Sequence, residues 1–236
     1  MNFAIIAAGE GSRLQQEGAT LPKPLTLLQG KPMIDRLIEL FMRCDAERIV
    51  IIINSESVEL KEHLDLLAVH YPLQLVVQTT PSSMHSFSVI SPYLRGGKFC
   101  LTTVDTIFDE EEFSHYITNF ATTKADGLFA VTDYIDDEKP LYVSTDATNR
   151  VCSFNDSANE GDKFISGGVY CLNDKALDVL DRCIAEGRSR MRNYQRALIE
   201  DGLFIQAYPF SKIIDVDHIE DIVKAEQFLN KKTARK

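Results

Sequence analysis

FAIIAAGEGSRLQQEGATLPKP, running from Phe3 to Pro24, is the stretch whose reading decides the fold. Phe3 to Ala8 is an apolar, β-leaning run, short enough for a buried strand. The run breaks at Gly9-Glu10-Gly11-Ser12, and Arg13 and Lys23 follow. Two glycines in so short a break let backbone N–H groups turn toward a ligand with no Cβ in the way. Two cations close behind call for an anion, and a polyphosphate fits.

Outward from this stretch the chain alternates strand and helix. Met33 to Met42 has apolar residues at helical spacing, and Ile49 to Ile53 is a β-branched run expected to be a buried strand. Ser55 and Ser57 can cap a helix from Glu59 to Val69 that Pro72 closes. Leu73 to Gln78 reads as a third strand. Ser82 or Ser83 starts a helix ending near Leu94, and Lys98 to Val104 reads as a fourth strand with Asp105 at its end. Asp109 to Glu112 is an acidic first helical turn, and Gly127 to Val131 another strand. Such alternation predicts a parallel sheet covered on both faces, doubly wound through right-handed crossovers.

The second half reads differently. Leu141 to Thr145 and Arg150 to Phe154 flank a turn at Asp146-Ala147-Thr148-Asn149, as a hairpin would. Ser157 to Asp162 reads as a loop and Phe164 to Leu172 as a glycine-interrupted strand. Helices are expected at Asp174 to Ala185, Arg190 to Asp201 and His218 to Leu229, with short strands at Leu203 to Ala207 and Lys212 to Val216. Lys231 to Lys236 is a basic tail. The expectation is one domain over 1–236: a Rossmann-like, mostly parallel sheet over about residues 1–132, with a small antiparallel lobe over about 133–236.

Composition narrows the function. With 44% hydrophobic and 25% charged residues the chain matches ordinary soluble proteins. A net charge of −10 opposes non-specific binding to nucleic acid or to an anionic membrane, so neither is an expected partner. An acidic protein that binds polyphosphate has to concentrate positive charge locally or borrow a metal ion. Cys44, Cys100, Cys152, Cys171 and Cys183 form no C-x-x-C pair, and most sit in apolar runs. That predicts reduced thiols and a reducing compartment. With no signal-peptide pattern and no membrane-length apolar run, a cytoplasmic location is expected.

Ligands of doubly wound sheets bind beyond the carboxyl ends of the strands where the winding reverses. A 3-2-1-4 strand order would set Asp105 beside the glycine loop, where a carboxylate next to polyphosphate makes sense with Mg²⁺ between them. Read alone, Asp105 is equally well a helix cap. The loop itself is not a P-loop, because no G-x-x-x-x-G-K-(S/T) string follows. Nor is it a dinucleotide fingerprint, since Leu14 stands where the third glycine would be.

What remains is Ala7-Ala8-Gly9-Glu10-Gly11-Ser12-Arg13-Leu14, then Pro22-Lys23-Pro24-Leu25, then Gly30-Lys31-Pro32-Met33-Ile34. This compound pattern resembles the nucleotidyltransferase superfamily that makes nucleoside-diphosphate sugars and related activated alcohols. The resemblance implies the nucleotide-diphospho-sugar transferase fold, an NTP and a phosphorylated small molecule as substrates, and Mg²⁺ as cofactor. Ala7, Ala8, Gly9, Gly11 and Ser12 would wrap the triphosphate. Arg13 would neutralise the β- and γ-phosphates, and Lys23 would reach the reacting centre. Asp105 corresponds to the strand-end metal aspartate, with Val104 in place of the usual preceding glycine. Ile214-Asp215-Val216-Asp217 resembles the late W-x-D-x-(G/D) segment, which makes Asp215 the second metal ligand, and Asp215 or Asp217 stays open. Gln78 falls where relatives read a pyrimidine edge, and Gly168 in Ser166-Gly167-Gly168-Val169-Tyr170 matches an acceptor-side strand.

Departures cluster on the acceptor side. Leu141 replaces a glycine, and Asn155-Asp156-Ser157 stands where an E-K-P segment is expected, so Lys163 becomes the candidate for the missing cation. Ser82, Ser83 and Ser86 replace a glycine-containing base loop. The leading expectation is transfer of a nucleoside monophosphate to a sugar 1-phosphate. Phosphocholine or another small phosphorylated alcohol comes next, as substrate of a cytidylyltransferase. A molybdopterin nucleotidylyltransferase and an inactive nucleotide-sugar-binding regulator complete the set. The sequence carries no legible oligomeric state, and a homodimer is left open.

Overall fold

The computed structural model describes residues 1–136 and 138–233, the last three by backbone alone. In chain order it has β1 (Asn2–Ala7), α1 (Ser12–Gln16), a 3-10 turn (Lys23–Leu25), β2 (Leu27–Leu28), β3 (Lys31–Pro32), α2 (Met33–Arg43), β4 (Arg48–Ile53), α3 (Val58–Leu67) and β5 (Leu73–Val77). Then come α4 (Ser83–Ile90), a 3-10 turn (Ser91–Tyr93), β6 (Phe99–Thr103), β7 (Thr106–Phe108), α5 (Glu110–Thr122) and β8 (Gly127–Thr132). The rest is β9 (Tyr142–Thr145), β10 (Val151–Asn155), β11 (Phe164–Leu172), α6 (Asp174–Ala185), α7 (Met191–Glu200), β12 (Ile205–Pro209), β13 (Ile213–Asp215) and α8 (Ile219–Thr233). The last residues of the basic tail read at 231–236 lie outside the described residues.

The main sheet runs β10-β9-β11-β6-β1-β4-β5, with β8 and β12 joined through β11. The run β5-β4-β1-β6 is parallel throughout, as the alternation predicts, and has the 3-2-1-4 order that sets Asp105 beside the glycine loop. Its strands are near-continuous apolar runs because both faces are covered. Alternate residues divide between two cores. Phe3, Ile5, Ile49, Ile51 and Ile53 pack under α2, α3 and α5. Ala4, Ile6, Val50 and Ile52 pack under α4, α6 and α7. Phe3 stacks on Phe41 at 4.5 Å between ring centroids, and Phe108 on Phe113 at 4.9 Å, tying α2, α5 and β7 to the first strand.

One expectation about neighbours needs correction. β8 was expected to extend the parallel set, and it does run in that sense, but it does not lie beside β6. Antiparallel β11 is inserted between them, pairing Val169–Leu172 with β6 and its other edge with β8. Helix–strand alternation specifies strand direction, while a later strand of the same chain can take the neighbouring slot. β11 also explains its own glycines. Its pairing with β8 shifts register between Ser166 and Tyr170, and Gly168 there has φ +74°. A Cβ on Gly167 would lie 2.2 Å from Ile213 Cδ1.

Two small ribbons carry no strong sequence signal, β2 with β3 and β7 with β13. The second matters for the site: Asp215 is paired with Thr106, and the Val216 N–H donates to the Asp105 carbonyl at 3.0 Å. A third apolar cluster, including Leu14, Met33, Ile107, Val216 and Leu229, seats α8 against α1 and this ribbon.

Candidate active site

β1 ends at Ala7, between β4 and β6, and the chain then turns through the glycine loop into α1. Gly11 caps α1 in the left-handed region, φ +63°, which an L side chain rarely adopts. A Cβ at Gly11 would stand 2.7 Å from the Cβ of Lys23, so the glycine is also required by the close approach of the second motif. The first N–H groups of α1 have no partner within the helix.

Lys23, between two prolines that favour an extended backbone, is not extended. It opens a 3-10 turn, with the Leu25 N–H donating to Pro22 O at 2.8 Å and the Thr26 N–H to Lys23 O at 3.1 Å. Pro24 fits because its position in the first turn needs no donor. The turn carries the Lys23 side chain inward to 10% exposure, where its ammonium bonds both Asp105 Oδ2 and, at 2.6 Å, Asp217 Oδ1. Burial opposes the charge on Lys23, but the two carboxylates outweigh it and raise the pKa above the ordinary lysine value. Arg13 reaches the same aspartate from the rim, Nη1 to Asp217 Oδ2 at 2.7 Å, with its side chain 55% exposed.

Asp217 is held by the start of α8. The carboxylate of Asp221 accepts the N–H groups of Asp217 at 3.2 Å and His218 at 2.9 Å. Glu17, just past α1, accepts the Ile219 N–H at 2.8 Å and bonds His218 Nδ1 at 2.5 Å. That pairing raises the His218 pKa and lowers that of Glu17. The glycine-loop helix and the last helix are therefore clamped together at the point where Asp217 emerges.

Two cavities meet here, sharing Arg13 and Asp217. The larger, about 540 Å³, is lined by the sequence-expected Ala7, Ala8, Gly9, Gly11, Ser12, Arg13, Lys23 and Asp105. Its far end is formed by Asn54, residues 79–83 and Ser86. Gln78 is exposed and does not line it; its N–H donates to Ile53 O and continues the β4–β5 ladder. Sequence reasoning singled out the serines at this end but missed Asn54, Thr79 and Thr80. Asn54 Oδ1 accepts from Thr79 Oγ1 at 2.9 Å, and Thr80 Oγ1 lies 2.6 Å from Ser86 Oγ. The available signal was position: Asn54 directly follows β4, and Thr79 and Thr80 follow β5 by two and three residues, at the carboxyl ends where such sheets bind ligands.

The second cavity, about 400 Å³, lies on the β11 side. Gly167 lines it, while Gly168 packs against the threonines behind, where a Cβ would be 3.1 Å from Thr106 Oγ1. Lys163 is exposed and lines neither cavity. Asp215 is exposed too and faces this second cavity, so it is Asp217 that meets Asp105 across Lys23. The physical reason is that β13 ends at Asp215. The chain then leaves the ribbon, and the carboxylate two residues later is delivered to the strand ends.

Among the described residues no three or more His, Cys, Asp or Glu side chains gather as a metal centre. Asp105 and Asp217 nevertheless suit a hard cation that takes its remaining oxygens from phosphate and water. Both already converge on one cation, the Lys23 ammonium. No helix among the described residues is long and apolar enough to cross a membrane.

The family model described as nucleotidyl transferase matches residues 4–232. The bifunctional protein GlmU of Methanococcus maripaludis is 23% identical over 239 residues, covering 98% of this chain and 55% of that protein. The 2-aminoethylphosphonate cytidylyltransferase of Lancefieldella rimae is 29% identical over 114 residues, 47% of this chain and 45% of that one. The chain thus spans about half the length of the relatives it matches. Among solved structures, the inositol-1-phosphate CTP transferase from T. maritima superposes with TM-score 0.82 at 18% identity, covering 98% of this chain and 95% of that one. A putative glucose-1-phosphate thymidylyltransferase from Bacillus anthracis superposes with TM-score 0.82 at 17% identity, covering 97% and 94%. These likenesses show the fold.

Proposed function

The chain belongs to the nucleotidyl transferase family, and from that premise we propose that it transfers the nucleoside monophosphate part of an NTP to a small acceptor carrying a phosphate or phosphonate, releasing pyrophosphate. One observation carries the reading: the glycine loop, Arg13, Lys23, Asp105 and Asp217 converge where two cavities join. The larger cavity takes the nucleotide and the smaller the acceptor.

In the reaction an acceptor oxyanion attacks the α-phosphorus of the NTP. The new P–O bond forms as the bond to the α,β-bridging oxygen breaks, and pyrophosphate departs with the electron pair. The acceptor oxygen is an anion at neutral pH, so no protein base is needed, and catalysis rests on alignment and neutralised charge. Lys23, which lines the larger cavity and bonds Asp105 and Asp217, is placed for the α-phosphate. Arg13, more exposed on the nucleotide rim, is placed for the departing pyrophosphate. Each exchanges a bond to Asp217 for one to phosphate. Asp105 and Asp217 would hold Mg²⁺, whose chemistry there is neutralisation of phosphate oxygens. Asn54, Thr79, Thr80 and Ser82 offer donors and acceptors to the base. Gln78 and Lys163 receive no role. The free state of all five cysteines supports a reducing compartment such as the cytoplasm.

Pyrophosphate release in the presence of Mg²⁺, across four NTPs and a panel of sugar phosphates and small zwitterionic phosphates, tests the reading. Arg13→Ala is expected to lower turnover by at least about tenfold with its unfolding temperature unchanged. No release in any combination would overturn the proposal.

A further inference from the structure

The charge of the smaller cavity is unlike that expected around a purely anionic acceptor. Among the described residues, seven carboxylates line it, against the two cations Arg13 and Lys224 and the His218 imidazole that pairs with Glu17. Both cations are already committed: Arg13 to Asp217, and Lys224 Nζ to Asp136 at 2.8 Å, Asp221 at 3.2 Å and Glu220 at 3.4 Å. Asp136, Glu138, Asp215 and Glu220 line this cavity and not the larger one, whereas Lys23 lines only the larger one. A third cation stands nearby, and its position is informative. Lys212 Nζ sits 3.7 Å from the centroid of the Tyr134 ring, and Tyr134 itself lines the cavity. An ammonium is thus already drawn to this wall by an aromatic face and the surrounding carboxylates, the environment that binds ligand ammonium groups. Even with Lys212 counted, the carboxylates remain in clear excess.

The two ends of the acceptor face different chemistry. The end nearest the nucleotide cavity meets Arg13 and Lys23, which suit a phosphate or phosphonate. The other end meets carboxylates and the Tyr134 ring, which engage a ligand ammonium through net charge, engage a neutral sugar only through hydroxyl hydrogen bonds and stacking, and repel a second anion. We propose that the acceptor is a zwitterion: a phosphate or phosphonate with an ammonium a few bonds away, the anion at Arg13 and Lys23 and the cation against Asp136, Asp215 and Tyr134. The inference rests on the transfer reading and names its substrate class. Such an acceptor also carries less net negative charge into the acidic cavity than a sugar 1-phosphate does.

The test compares matched acceptors in the pyrophosphate-release assay. The probes are phosphocholine against its carbon isostere 3,3-dimethylbutyl phosphate, 2-aminoethylphosphonate against propylphosphonate, and glucose 1-phosphate. The expected result is a kcat/KM at least about tenfold higher for one or both cationic members than for the isostere, with the advantage shrinking as salt rises. The pair that shows it tells whether the site takes a quaternary or a primary ammonium. Asp136→Asn is expected to raise KM for the cationic acceptor severalfold, while KM for the isostere and for the NTP stays put, a split that general loosening of the cavity would not produce. Equal use of each pair, or preference for glucose 1-phosphate, would overturn the zwitterion and leave the transfer reading standing. Absence of release with every acceptor would remove both.

Discussion

Replacing Lys23 with methionine keeps the length and apolar stem of the side chain and removes one charge. In the structure that ammonium bonds both Asp105 and Asp217, and the side chain is 10% exposed. Because each carboxylate has an oxygen on the same ammonium, those two oxygens are no more than about 5 Å apart. At an effective dielectric near 20, two negative charges at about 5 Å repel by roughly 3 kcal/mol. Asp217 is 40% exposed, so solvent screening reduces this, and about 1.5 kcal/mol is a fair expectation. For a chain of this size that corresponds to a loss of about 3–6 °C in Tm.

The assay is thermal unfolding followed by circular dichroism, with EDTA and then with millimolar Mg²⁺. Wild type should change little between the two conditions, because its ammonium already neutralises the pair. Lys23→Met should be less stable in EDTA and recover most of the loss with Mg²⁺, since a divalent cation takes the vacated position between the carboxylates. Turnover should fall by about 10²-fold or more even with Mg²⁺, because the α-phosphate loses its cation. A variant as stable as wild type in EDTA, with no response to Mg²⁺, would refute the reasoning: the two aspartates would not be in opposition, and no metal site would follow from them.

Two further outcomes are expected. Asp217→Asn should weaken Mg²⁺-dependent NTP binding at least about tenfold by calorimetry, while Asp215→Asn should leave it unchanged; the reverse ranking would return the metal to Asp215. Away from the site, Asp126 accepts the Phe204 N–H at 3.0 Å and the Asn173 amide at 3.1 Å and pairs with Lys175 at 2.8 Å. Burial raises its pKa, but these partners outweigh it and hold the carboxyl below the usual range. A depressed folded pKa contributes stability that is present above the unfolded value of about 4 and is lost as pH falls through the folded value. Asp126→Asn should therefore cost about 1–2 kcal/mol at neutral pH and progressively less below about pH 4 in denaturant titrations. An equal gap at pH 7 and pH 3 would contradict that account.

Much of the fold was legible because its signals are local. Ile49 to Ile53 is β-branched and apolar at every position, and a strand buried on both faces has to look like that. Asp109, before three glutamates, caps α5 with its side chain accepting the Glu112 N–H at 2.9 Å, as an acidic first turn suggests. The insertion of β11 between β6 and β8 was not legible, since no residue of β11 names its neighbour. The same limit applies in the site. Gly9, Gly11, Arg13, Lys23 and Asp105 were found from spacing along one motif and one strand end. Asn54, Thr79 and Thr80 were missed because each is an ordinary polar residue until the sheet brings the ends of β4 and β5 together. Lys163 shows the converse error: a cation near the right sequence position whose side chain stays outside both cavities.

The sequence by itself determined the strand–glycine-turn–cation unit at the start of the chain, the strand–helix alternation of the first half and the placement of Asp105 at a strand end. All of these follow from backbone conformational limits and from apolar periodicity within short segments. Only the tertiary structure shows which of Asp215 and Asp217 meets Asp105 across Lys23. Both lie in one acidic segment, and the choice depends on where a three-residue ribbon with β7 stops and on how Glu17 and Asp221 anchor the last helix. It also revealed a charge imbalance in the second cavity, assembled from α1, β8, β13, α8 and the segments beside them. Electrostatic potential sums over neighbours in space, and those neighbours are far apart in sequence.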